Sequence, residues 1–165
     1  MSSNAYATEG SARAALPDWV YPASDFVFRG LFSLIFLIAG LGHFVERDLM
    51  LARLEDAPLG YLASFAGPPE LLMPRSGMAL VVCGVALLLG FKVRAAAVLL
   101  FLTLIPITVT THLGNPGHTG PLFKNVALLG GLLHFAVRGG GAYCIDTPAR
   151  VSNKLQMHKT KENES

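Results

Sequence analysis

Charge is what this sequence has least of. Only 15% of its 165 residues are charged, where a soluble domain carries nearer a quarter. The deficit is concentrated. In 26–45 the sole charge is Arg29, and none occurs in 76–91, 95–123 or 125–137. A solvated helix bundle needs a polar stripe on each helix at i, i+3, i+4 spacing, and these stretches have none. Net charge is only +2, too little to attract nucleic acid. Cysteine is also scarce. Cys83 and Cys144 are the only two and form no CxxC pair, which excludes thiol exchange through a vicinal dithiol. Cys83 falls in mid-span and Cys144 beyond the last span, so no intrachain disulfide is expected unless the chain after Gly139 folds back. The five histidines include no HxxxH or ExxH pair, and no metal site is expected. Residues 1–25 lack an apolar h-region, so no cleavable signal peptide is read and the first span itself directs insertion.

What the chain has instead is apolar length, with a mean hydropathy of +0.49. A bilayer needs ~20 apolar residues to cross its ~30 Å hydrocarbon layer. Four spans satisfy this, at about 26–45, 73–91, 95–112 and 121–138, the second and fourth borrowing residues from their flanks. The expected fold is all-α: a polytopic membrane protein with a four-transmembrane-helix bundle and short interfacial helices between spans 1 and 2. An even number of spans puts both termini on one side. Nine Lys and Arg (Arg13, Arg29, Lys92, Arg94, Arg138, Arg150, Lys154, Lys159, Lys161) fall on that side and four (Arg47, Arg53, Arg75, Lys124) on the other, which predicts cytoplasmic termini. Trp19, Tyr21 and Tyr143 then meet the inner interface. Residues 1–25 read as a cytoplasmic segment, 26–146 as one membrane domain, and 147–165 as a charged, disordered tail.

The connection from Glu46 to Met73 is too long and apolar for a plain loop. "RDLMLARLED" offers Asp48 as an N-cap and places Leu51 and Leu54 on one face with Arg53 opposite, while "LGYLASFAGPP" is stopped by Gly67, Pro68 and Pro69. Short helices there lie on the outer membrane face or close the bundle. Pro106 interrupts the third span, and nearby threonine hydroxyls are placed to bond the backbone that its kink frees. In the fourth span, Gly130 and Gly131 allow close helix approach or leave room for a flat ligand.

Histidine placement carries the chemistry. His43 ends the first span, His112 ends the third, His118 lies in "GNPGHTGP", and Lys124 opens the fourth, all on the outer face. Such a cluster can bind a quinone carbonyl, relay a proton or hold an anionic sulfur compound. The same residues also suit a solvated rim that only anchors the bundle. Phe44, Phe65 and Phe123 are near enough in sequence to wall a site. His134, near the inner end of the fourth span, is a further ligand-binding candidate, since an intramembrane ionisable group points first to function. No catalytic residue is assigned.

The stretches "FRGLFSLIFLIAGLGHF", "SGMALVVCGVALLLGFKVRAAAVLL", "IPITVTTH" and "PLFKNVALLGGLLHFAVRGGGAYCID" closely resemble DoxX-family membrane proteins over about residues 26–146. The ending "RGGGAYCID" is similar to the family's Gly-x-Gly-x-Tyr-Ser-Leu-Asp, with Cys144 where Ser is usual; Leu80 stands where many members carry Glu. The positions that look family-like are Arg29, Gly40, Gly42, His43, Gly84, Gly90, Arg94, Pro106, His112, Lys124, Asn125, Gly130, Gly131, Tyr143 and Asp146. The resemblance implies a multi-pass protein of the bacterial inner membrane, in a superfamily with the DoxD subunit of thiosulfate:quinone oxidoreductase and the MauE maturation protein. It carries two functions as expectations. One is a quinone-interacting membrane subunit of a thiol or sulfur-compound oxidoreductase, working with a soluble redox enzyme. The other is a non-enzymatic scaffold or maturation factor that recruits such enzymes. Quinone is the only cofactor implied, the lipid bilayer is the certain surrounding, no nucleic acid is expected, and a homo-oligomer is left open.

Overall fold

The computed structural model describes residue 17 and residues 19–145. Five α-helices account for most of them: α1 (Val20–Val45), α2 (Arg47–Glu55), α3 (Pro69–Leu89), α4 (Val93–Ile107) and α5 (Thr119–Arg138). Four segments, Val20–Val45, Pro69–Leu89, Val93–His112 and Pro116–Arg138, are long and apolar enough to cross a membrane. They match the four expected spans, with earlier starts. α1 takes in Pro22 because the first turn of a helix has no intrahelical use for its N–H groups. α3 opens on Pro69, whose fixed φ suits a first helical position.

α1 packs most extensively on α3, α3 on α4, and α4 on α5. The α1–α3 contact depends on missing side chains. A Cβ on Gly77 would meet the His43 Cβ at 2.7 Å, and one on Gly40 would meet the Gly77 carbonyl at 3.0 Å. In lipid, where burial of apolar surface drives little, such close backbone approach and its dispersion contacts hold helices together. α1 and α5 instead meet through an aromatic seam. The Phe28 and Phe135 rings stack at 5.2 Å, and Phe32 packs at 5.3 Å from Phe135. A Cβ on Gly131 would strike the Phe32 ring, whereas Gly130 faces open space. The glycine pair therefore divides its work, one for packing and one lipid-facing. Phe36, Leu87, Leu100 and Leu132 form the sealed centre.

The prolines inside α3 and α4 are accommodated differently. Pro74 cannot donate to the carbonyl of Glu70, and Arg47 Nη2 donates to that oxygen at 3.1 Å. Around Pro106, Thr108 and Thr110 donate back to the carbonyls of Leu104 (2.6 Å) and Pro106 (2.8 Å). α4 then loosens into a π turn, Thr108–His112, closed by Leu113 N–H on the Thr108 carbonyl. The α3–α4 corner turns on Gly90, at φ +73°, with Phe91 N–H reaching back to the Ala86 carbonyl.

Between the first two spans, α2 and a 3₁₀ segment (Gly60–Phe65) lie across one end of the bundle. Asp48 is not the N-cap. The helix opens one residue earlier, with Glu46 in the cap position, no side-chain cap bond, and Asp48 in the first turn. Leu54 is buried, Leu51 half-buried and Arg53 exposed, as the facing pattern expects, and Met50 and Arg53 also line a cavity of the bundle.

At the opposite end, Arg29 is 1% exposed and gathers the chain beyond α5. Its Nη1 donates to the carbonyls of Gly140 and Ala142 and lies 3.0 Å from Cys144 Sγ, and its Nη2 donates to the Tyr143 carbonyl at 2.9 Å. The segment after Gly139 thus folds back onto the bundle, and Cys144 packs against its core. Cys83 and Cys144 nonetheless remain thiols with no bridge between them. Gly90 and Gly140 make the space, since a Cβ on Gly90 would meet the Cys144 Cα at 2.6 Å and one on Gly140 would meet its sulfur. Trp19, Tyr21 and Tyr143 are exposed, and Tyr143 meets the Phe26 ring near the start of α1. Asp146 lies outside the described residues, as do the 147–165 tail and most of 1–25.

Candidate ligand cavity

His43 and Arg29 are fourteen residues apart on α1, which puts the two polar ends of the bundle about 21 Å apart at 1.5 Å per residue. At the His43 end a cavity of about 300 Å³ opens inside the bundle, beneath α2. Each wall has a sequence origin. His43 comes from the last turn of α1 and His112 from the π turn. His118 ends a short 3₁₀ turn, Pro116–His118, and Lys124 lies in the second turn of α5. The π turn inserts an extra residue per turn, and Thr111 and His112 of that turn both line the cavity.

Hydrogen bonds fix the imidazoles. His43 Nδ1 lies 2.8 Å from the Ala39 carbonyl, which only accepts, so this nitrogen carries the proton and Nε2 is left as an acceptor in the neutral ring. His118 Nδ1 lies 3.1 Å from the Thr111 carbonyl and 3.1 Å from His112 Nδ1. By the same reasoning His118 holds the shared proton, His112 Nδ1 accepts, and the His112 proton sits on Nε2 as a donor. The cavity thus has an acceptor from His43, a donor from His112 and a cation from Lys124. Arg53 adds a second cation. No Asp or Glu is among the described residues that line it. Phe36, Leu104, Ile107 and Leu128 form its apolar side.

His43, His112, His118 and Lys124 are therefore brought together, and His134 is not. His134 is exposed near the far end of α5, edge-on to Phe28 and Phe135. Phe44, Phe65 and Phe123 face outward, at 44%, 84% and 68% exposure, and leave the aromatic wall to Phe36. Asn125, which in the sequence is only part of a helix opening, is 3% exposed and donates to Thr108 Oγ1 at 3.0 Å, which ties α5 to the π turn. A polar side chain one turn inside an apolar segment is the signal that marks it. Leu80 also lines the cavity, so the position where a family carboxylate is expected reaches the site with an apolar side chain. Among the described residues no three His, Cys, Asp or Glu side chains converge as a metal site.

The family model of DoxX matches residues 24–113. The chain belongs to the DoxX family. That match takes in α1 to the π turn and thus His43 and His112, and it stops short of α5, which supplies Lys124 and Asn125. Among curated proteins and solved structures nothing matches this DoxX protein. Family and helices together make it a multi-pass membrane protein.

Proposed function

We propose that this DoxX protein is a redox-associated membrane protein of the bacterial inner membrane, and that its His43–His112–Lys124 cavity binds a quinone. The observation that carries this reading is the cavity's lining. Donors and an imidazole acceptor converge with no Asp or Glu among the described lining residues, against an apolar wall, in a volume typical of small-ligand sites. A flat ring with carbonyl oxygens fits such a lining. Lys124 and the His112 Nε2–H act as donors to an oxygen that carries partial or full negative charge. His43 Nε2 acts as acceptor for a hydroxyl, so the site serves the oxidised and the reduced ring alike. Quinone supplies two-electron, two-proton redox chemistry, and a soluble thiol or sulfur-compound enzyme would be the electron donor. With both termini cytoplasmic, the cavity faces the outer leaflet.

The chain purified from its membrane in mild detergent should retain quinone, and His112→Ala and Lys124→Ala should each lose it while inserting and folding normally. Retention by both variants, or a stoichiometric enzyme with no quinone in the wild type, would replace this reading with that of a scaffold.

A further inference from the structure

A second cavity, of about 320 Å³, lies behind the first and shares with it the wall of His43, Met73, Ile107 and Thr111. It is a lateral cleft between α3 and α4, roofed by Leu54 of α2 and by Ala63 and Ala66 around the 3₁₀ segment. Its chemistry differs from that of its neighbour. Three of the four hydroxyls along it are already used, each by its own helix: Ser76 donates to the Met73 carbonyl, Thr103 to Leu99 and Thr110 to Pro106, while Thr111 lies on the wall shared with the first cavity. Ser76, Thr103 and Thr110 therefore bring no unused donor to the cleft. Ala79 keeps its floor open, and it reaches down α4 as far as Thr103, nine residues or about 13 Å of helix from His112. That depth lies in the hydrocarbon.

The rim carries a charge. Arg75, Ala66 and Pro106 all line the cleft and are all exposed, so the opening is lateral and one side of it bears a guanidinium. No Asp or Glu is among the described residues that line it. An apolar slot within the bilayer with a planar, bidentate cation at its mouth matches one kind of occupant: an acyl chain whose headgroup is a phosphodiester anion. We propose that the α3–α4 cleft binds one anionic phospholipid, its phosphate on Arg75 and one acyl chain beside Ala79 and Thr103. The lipid then backs the wall that carries His43 and Thr111, although the proposal does not depend on what fills the first cavity.

Native mass spectrometry of the full chain, titrated with dioleoyl phosphatidylglycerol or dioleoyl phosphatidylcholine, tests this directly. The wild type should keep one phosphatidylglycerol with a preference of about tenfold over phosphatidylcholine, whose choline cation offsets the phosphate charge that Arg75 meets. Arg75→Gln should remove the preference while leaving chain-dependent binding. Ala79→Trp should fill the slot and remove the tightly held lipid of either kind, with thermal unfolding reporting an intact bundle. Inorganic phosphate at millimolar concentration should not compete. The proposal is overturned if Arg75→Gln keeps the preference, if phosphate alone displaces the lipid, or if Ala79→Trp folds and retains phosphatidylglycerol as the wild type does.

Discussion

Replacing Arg29 by glutamine should release the chain beyond α5 without dismantling the four helices. The guanidinium serves the carbonyls of Gly140, Ala142 and Tyr143, together with the Cys144 sulfur, and is almost wholly buried. Glutamine has two donors where arginine has five in a rigid fork, so most of these acceptors lose their partner. A hydrogen bond to a charged group is worth about 1.5–3 kcal/mol, and glutamine leaves at least two of these acceptors without one. The acceptors can swing out to water and recover part of the loss, which leaves a net cost of about 3 kcal/mol. At 1.4 kcal/mol per decade, the population with Cys144 displaced rises about 100-fold. The assay is site-resolved maleimide labelling, read by mass spectrometry. Cys144 labelling should accelerate by up to that factor in Arg29→Gln, and less in Arg29→Lys, where one ammonium keeps the charge but not the fork. Cys83, 7% exposed in the core, is the internal control and should stay slow. If Cys144 reacts at the wild-type rate in Arg29→Gln with Cys83 still protected, the clasp does not hold the segment and the account of Arg29 fails.

Packing and topology lead to further expected outcomes. Gly77→Leu should abolish the α1–α3 contact and sharply reduce folded protein in detergent, because even a Cβ there meets His43 at 2.7 Å, whereas Gly130→Ala, which points into open space, should leave the unfolding temperature unchanged or slightly raised. Asn125→Leu should lower stability by about 1–3 kcal/mol, seen in chemical denaturation, because the buried bond to Thr108 is lost and an apolar side chain of different shape must be fitted at that site. A reporter active only outside the cytoplasm should work when inserted at Gly117 and stay silent at the C-terminus; the reverse pattern would turn the bundle over.

The four spans are legible in the sequence because charge exclusion acts on every residue of a segment at once and needs no partner. The histidine cluster is legible for a related reason: once spans are counted, His43, His112 and Lys124 fall at one end by chain direction alone. What the pattern does not carry is contact that depends on chain reversal. Arg29 reads as a charge at a span entrance, and only the return of 140–144 makes it the hub of the far end. Likewise Arg53 belongs to the cavity because α2 lies across the bundle rather than flat beside it. Phe36 rather than Phe44, Phe65 or Phe123 faces the site, because the α1–α3 glycine contact sets how α1 is rotated, and sequence proximity to a cluster says nothing about that rotation.

The central claim, that the His43–His112–Lys124 cavity is where a ring ligand binds, is tested most directly by photolabelling. A photoreactive benzoquinone, irradiated with the purified full chain, should label saturably within 104–128 and around His43, and unlabelled quinone should protect those peptides. Labelling that does not saturate, or that falls only on lipid-facing residues such as Phe44 and Phe123, would contradict it.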